Sequence, residues 1–111
     1  MTIRSLTIRS ASALLCAVCL AVTPVVARAD PDDGEKLARR WCAACHLVAP
    51  DQQKAATDAP PFAAIARMPG FDREKLAFFL LEPHPKMPTM ALSRSEATDL
   101  ADYIASLGRR P

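Results

Sequence analysis

Apolar residues are laid out along the chain in two different ways. Residues 11–26 form a stretch without a charge, carrying Pro24 near its end. Beyond Asp30 the apolar positions recur at helical spacing among charged ones. In PDDGEKLARRWCAACH, acids cluster at the start, and Gly34, Leu37, Ala38, Trp41 and Cys45 share one face, which predicts a helix running through the segment. In FDREKLAFFLLEP, Asp72 is a good N-cap, Glu74 favours the first turn and Pro83 ends the helix. In LSRSEATDLADYIASLG, Ser93 and Glu96 form a capping box. Ala97, Leu100, Tyr103, Ile104 and Leu107 make the apolar stripe, and Gly108 is the expected stop. A short helical turn is expected over 62–67. No segment alternates with period two, so no strand is predicted. Residues 48–61 read as a polar, turn-rich linker, and 82–88 (EPHPKMP) as a stiff second loop.

The N-terminal stretch is set apart from this pattern. Arg4 and Arg9 precede it and Ala27-Arg28-Ala29 closes it, the layout of a secretory signal peptide. The apolar run is shorter than the roughly 20 residues a membrane span wants. Cys16 follows Leu15 and Cys19 follows Val18, where a lipid anchor would want a small residue. The expectation is cleavage after Ala29, export to the periplasm, no stable membrane anchor afterwards, and one domain over 30–111. The full chain has 14 basic and 12 acidic residues. Arg4, Arg9 and Arg28 depart with the leader, leaving 11 basic residues against 12 acidic ones. With no basic run and no aromatic interleaving, nucleic acid is not an expected partner.

Cleavage also removes Cys16 and Cys19. A domain this small usually needs a staple, and Cys42 and Cys45 are too close to close a useful loop. What they do form is C-x-x-C-H, the haem-attachment signature. Two thiols on one turn reach the two vinyl groups of one haem, and His46 points at the iron from the same side. A thioredoxin-like dithiol would need a preceding strand and a parallel sheet, which the pattern does not offer. Zinc would need about four ligands, and only Cys42, Cys45, His46 and His84 remain.

A second axial ligand would make an electron carrier, and an open position a ligand-binding or catalytic haem protein. Met87 leads the candidates. It precedes Pro88 in the stiff loop and lies 41 residues after His46, enough chain to pass around a haem edge. Met68, only 22 residues after His46, and Met90 read as packing methionines. His84 reads as a solvated loop residue that could give a bis-histidine site. In 76–81 (LAFFLL), Phe78 and Leu81 are expected to pack under a loop or on the haem. An oversupply of apolar surface there would instead suit a dedicated subunit of a dehydrogenase or oxidase complex.

Taken together, GEKLARRWCAACH, APPF, HPKMP and LADYIASL, in that order over residues 34–107, resemble class I c-type cytochromes of the short bacterial monohaem type. The resemblance implies an all-α class I cytochrome c fold, with three main helices wrapped around one covalently attached haem c. It implies a monomeric electron carrier rather than an enzyme, passing one electron between redox partner proteins. It implies that His46 and Met87 ligate the iron and that His46 gives its other ring nitrogen to the carbonyl of Pro60, with Pro61 a near neighbour. It also implies a close crossing of the first and last helices, Gly34 against Leu100 and Tyr103. The chain departs from the pattern at Ala59, where a glycine is usual. Its one tryptophan, Trp41, matches no residue expected at the haem propionates.

Overall fold

Three of the start signals become side-chain-capped helices in the computed structural model, which describes residues 28–82 and 87–110. The expected leader up to residue 27, and residues 83–86 with His84 among them, lie outside the described residues. The elements are α1 (Pro31–Trp41), α2 (Phe62–Ala66), α3 (Arg73–Leu81) and α4 (Arg94–Gly108), with no strand among the described residues. Asp30 caps α1 by accepting from the Asp32 N–H at 2.9 Å. Pro31 takes the first helical position, where its missing N–H costs nothing. Asp32 and Asp33 at the start and Arg39 and Arg40 at the end complement the helix dipole. Asp72 caps α3 through the Lys75 N–H at 2.8 Å. In α4, Ser93 Oγ accepts from the Glu96 N–H at 3.2 Å while the Ser93 N–H donates to Glu96 Oε2 at 2.8 Å.

The element against which all the others pack is α4, touching α1, α2 and α3. Its stripe of Ala97, Leu100, Tyr103, Ile104 and Leu107 is buried, joined by Ala101. The closest approach is at Gly34. A Cβ there would overlap the Asp99 carbonyl oxygen and stand 2.7 Å from Tyr103 Cβ, so only glycine lets the two backbones meet. At the start of α1 the Asp30 N–H donates to Asp99 Oδ1 at 2.8 Å, so one turn of α4 holds both the cap of α1 and its crossing point.

Four expectations are corrected. The first helix stops at Trp41 rather than running through the C-x-x-C-H turn, because the helical ladder breaks there: the Ala43 N–H shares Ala38 O with Cys42, and the Cys45 N–H turns back to Cys42 O. Trp41, the last helical residue, is 49% exposed rather than part of the buried face. Phe78 is 61% exposed and does not pack inside. Leu80 supplies the buried side chain of α3, and Leu81 is only partly buried against the core. Gly108 is the last residue of α4 and does not end it by a left-handed turn. It is a second close contact, where a Cβ would lie 3.0 Å from Ala66 Cβ.

Gly34→Val is expected to cost about 3 kcal/mol or more, and Gly34→Ala to be destabilising too, although alanine is the better helix former. Denaturant unfolding checks this. A loss for Gly34→Ala no larger than a few tenths of a kcal/mol would contradict the crossing.

Candidate haem site

The last turn of α1 loosens as it reaches the motif. Both the Cys42 and Ala43 N–H groups donate to Ala38 O, at 2.9 and 3.1 Å, and Cys45 and His46 N–H then both donate to Cys42 O, at 3.0 and 2.8 Å. A helix end leaves carbonyls without partners. The turn beyond it adds five consecutive carbonyls, those of residues 43–47, which are met by the loop that follows. Gln52 Nε2 donates to Ala43 O at 2.9 Å and to His46 O at 3.0 Å. Ala56 N–H donates to Ala44 O at 2.9 Å, Thr57 Oγ1 to Cys45 O at 2.9 Å, and Phe62 N–H to Leu47 O at 3.0 Å. The stretch 48–61 is thus a cradle for the motif rather than a linker. Sequence reasoning missed Gln52 and Thr57, because a single amide or hydroxyl in a turn-rich stretch carries no periodic signal.

The cradle sets the motif against a cavity of about 520 Å³ whose lining includes Cys42, Cys45, His46, Pro60, Met87 and Met90. His46 is held from two sides. Its Nδ1 lies 2.7 Å from Pro60 O, and its ring sits 5.3 Å from that of Phe62, which is 4% exposed. A carbonyl partner requires the proton on Nδ1, which leaves the Nε2 lone pair for a metal. Met87 is half-buried on the same wall system, whereas Met68 is 49% exposed and does not line the cavity. Two thiols, an imidazole and a thioether around one largely apolar cavity are a donor set that fits a covalently held haem. Trp41 stands at the rim with the Arg40 guanidinium 4.9 Å over its ring.

Residues 29–104 match a family described as cytochrome c oxidase, cbb3-type, subunit III. The chain is also 61% identical to cytochrome c-552 of Bradyrhizobium diazoefficiens over 79 residues, covering 71% of this chain and 76% of that relative. The chain belongs to the class I c-type cytochromes. No solved structure gives a significant match.

As a member of that family the cytochrome is a monohaem electron carrier, not an enzyme, and carries covalently bound haem c. The Cys42 thiol lacks the activation expected of a dithiol redox site. A reactive C-x-x-C cysteine has a lowered pKa, whereas burial pushes the Cys42 thiol up to about 11, with nearby Cys45 adding to the shift. Among the described residues no group of three or more His, Cys, Asp and Glu side chains is placed to hold a metal ion. No helix among the described residues is long and apolar enough to cross a membrane.

The site is tied to the helix crossing through one hydroxyl. Tyr103, 2% exposed, donates to Val48 O at 2.8 Å, two residues beyond His46. Burial raises the Tyr103 pKa above the ordinary phenol value, because the phenolate would have to form out of water. A group whose folded pKa is raised contributes stability that is present below its unfolded pKa and lost as pH climbs through the folded one. The wild-type protein should therefore lose stability in the strongly alkaline range, and Tyr103→Phe should flatten that fall. At neutral pH Tyr103→Phe should cost about 1–2 kcal/mol by leaving Val48 O unpaired. Denaturant unfolding at pH 7 and through the alkaline range checks both signs.

Proposed function

We propose that the protein is an exported one-electron shuttle whose haem is attached through Cys42 and Cys45 and ligated by His46 and Met87. The supporting observation is that all four side chains line one cavity while the Nδ1 side of His46 is engaged by Pro60. When bound, the haem supplies the one-electron change at iron. The chain's own residues do the rest. Pro60 and Phe62 hold the imidazole so that Nε2 faces the metal, and the carbonyl contact makes the ring a stronger donor. Met87 offers a weak, neutral donor that favours the reduced state. Met90, Pro88 and Trp41 complete the wall and limit water at the iron. In this reading residues 1–29 are removed on export to the periplasm, and the 30–111 domain works as a free monomer between larger redox proteins. Two observations favour working as a fixed subunit of an oxidase instead: the description of the matching family and the exposed Phe78 on α3. Gel filtration of the purified protein separates the two readings, and an N-terminus at Asp30 in the purified protein checks the processing.

Met87→Ala should keep the haem covalently attached, abolish the weak red absorption of a methionine–iron bond, open the reduced protein to carbon monoxide and lower the potential. Met68→Ala should leave the red band, the carbon monoxide response and the potential nearly unchanged, and so should Met90→Ala, although Met90 lines the cavity. Visible spectra of the oxidised and reduced variants decide the assignment. A wild-type protein that binds carbon monoxide fast and lacks the red band would move the reading to an open-iron haem protein.

Cys42→Ala or Cys45→Ala should lose most holoprotein on export. A doubly substituted chain that accumulates as a stable, haem-free fold would show that the haem is not integral to folding.

A further inference from the structure

We propose that Gln52 is a positioning residue for the axial histidine, setting the donor strength of His46 by holding the loop that carries Pro60. The inference rests on the reading of His46 as an iron ligand. The Gln52 amide accepts from the Val48 N–H at 2.9 Å and donates to Ala43 O, His46 O and Lys54 O at 2.9, 3.0 and 2.9 Å. An amide has only two N–H bonds, so the three carbonyls share them, one N–H being bifurcated, and both donors are spent on this turn. Its partners lie on both sides of the fold. Ala43 and His46 belong to the haem-bearing turn, and Lys54 to the loop that returns through Thr57 to Pro60.

Val48 anchors the assembly. It is fully buried, with its N–H held by Gln52 and its carbonyl by Tyr103 of α4. A continuous chain of contacts therefore runs from the Gly34 crossing through Tyr103, Val48 and Gln52 to the backbone of His46. The ring of the same histidine meets Pro60 O at 2.7 Å at the other end of the loop. Gln52 thus fixes the separation of the two points that hold His46. No neighbouring side-chain type does the same. A carboxylate lacks the donors, an ammonium lacks the acceptor, and asparagine is one methylene shorter. Gln53, next in the chain, is exposed, so the effect belongs to one position and not to the composition of the loop.

Losing the amide frees Ala43 O and His46 O and lets the loop relax, which weakens the contact of His46 Nδ1–H with Pro60 O. A less polarised imidazole donates less to the oxidised iron, so the potential should rise. Methionine is the substitution of choice, being close in size and uncharged, whereas glutamate would add a charge that lowers the potential by itself.

The test compares wild-type, Gln52→Met and Gln53→Met holoproteins. Gln52→Met should show a raised potential and exchange of the His46 Nδ1–H about tenfold faster, the factor that loss of one net hydrogen bond gives, while Gln53→Met matches wild type in both. A Gln52→Met protein that unfolds more easily yet keeps the wild-type potential and His46 exchange rate overturns the proposal, since Gln52 would then only brace the loop. Should Gln52→Met fail to accumulate, wild-type hydrogen exchange decides. The Gln52 side-chain amide and the His46 Nδ1–H should open together, and independent opening overturns the proposal. Failure of the ligand assignment is seen separately, in wild-type protein alone, as His46 ring resonances unshifted by the iron, and that outcome overturns the Gln52 proposal as well.

Discussion

The contact on which the rest of this cytochrome depends is the meeting of two backbones at Gly34. With no side chain there, α1 lies directly on Asp99 and Tyr103 of α4. That closeness fixes where the C-terminal end of α1 arrives, and so where the chain must turn to make the C-x-x-C-H segment. It also decides what Tyr103 can reach. A wider crossing would separate its hydroxyl from Val48 O, which it meets at 2.8 Å. The two ends of the functional segment, the entry at Trp41 and the exit at Val48, are thus both referred to the same turns of one helix.

Between those two points the chain has to leave helical geometry and still satisfy its polar groups. A carbonyl shielded from water and left without a donor costs about 1–3 kcal/mol, and the part-buried ones at Ala43 and His46 are both met by Gln52. The loop 52–62 meets the need with two backbone N–H groups, one hydroxyl and one amide. Its shape is therefore dictated by the motif it serves. The arrival of Pro60 at the His46 ring follows from the same geometry, because the loop that feeds the motif's carbonyls returns beside its imidazole.

How far this was legible in the sequence depends on the kind of information each feature carries. Caps are local, so Asp72 and the Ser93–Glu96 box could be read from neighbouring letters. The stripe of α4 is a clean one-sided pattern and names its own buried residues. In α3 the apolar residues run nearly all round the helix, so the pattern does not select a face and fits Phe78 as well as Leu80, which is the one buried. Trp41 keeps the helical spacing of the buried face but sits where the helix ends, and periodicity does not register an end. At the site, the cysteines and His46 stand in a fixed local spacing. Gln52 and Thr57 act through hydrogen bonds to residues up to twelve positions away, set by how the loop folds back, and nothing in their letters separates them from solvated turn residues.

The distribution of large side chains explains why a covalent cofactor suits this fold. The largest fully buried side chains are only Tyr103, Leu100, Ile104 and Val48, all gathered at α4 and its contact with the motif's exit. Phe62, Leu80 and Leu107 add to this core, while four large apolar groups among the described residues, Trp41, Met68, Phe78 and Phe79, are exposed by 46% or more. The protein interior is thus one-sided, a belt around α4 with an apolar-walled cavity beside it, lined by the motif and Met87. A small domain buries too little of its own surface to hold such an arrangement with a wide margin. A group that binds only the folded chain adds stability in proportion to the logarithm of its free concentration. Covalent attachment removes that dependence, since a tethered ligand cannot be diluted away. The same two thioethers that present the iron to His46 would thereby turn the cofactor into a permanent second half of the core.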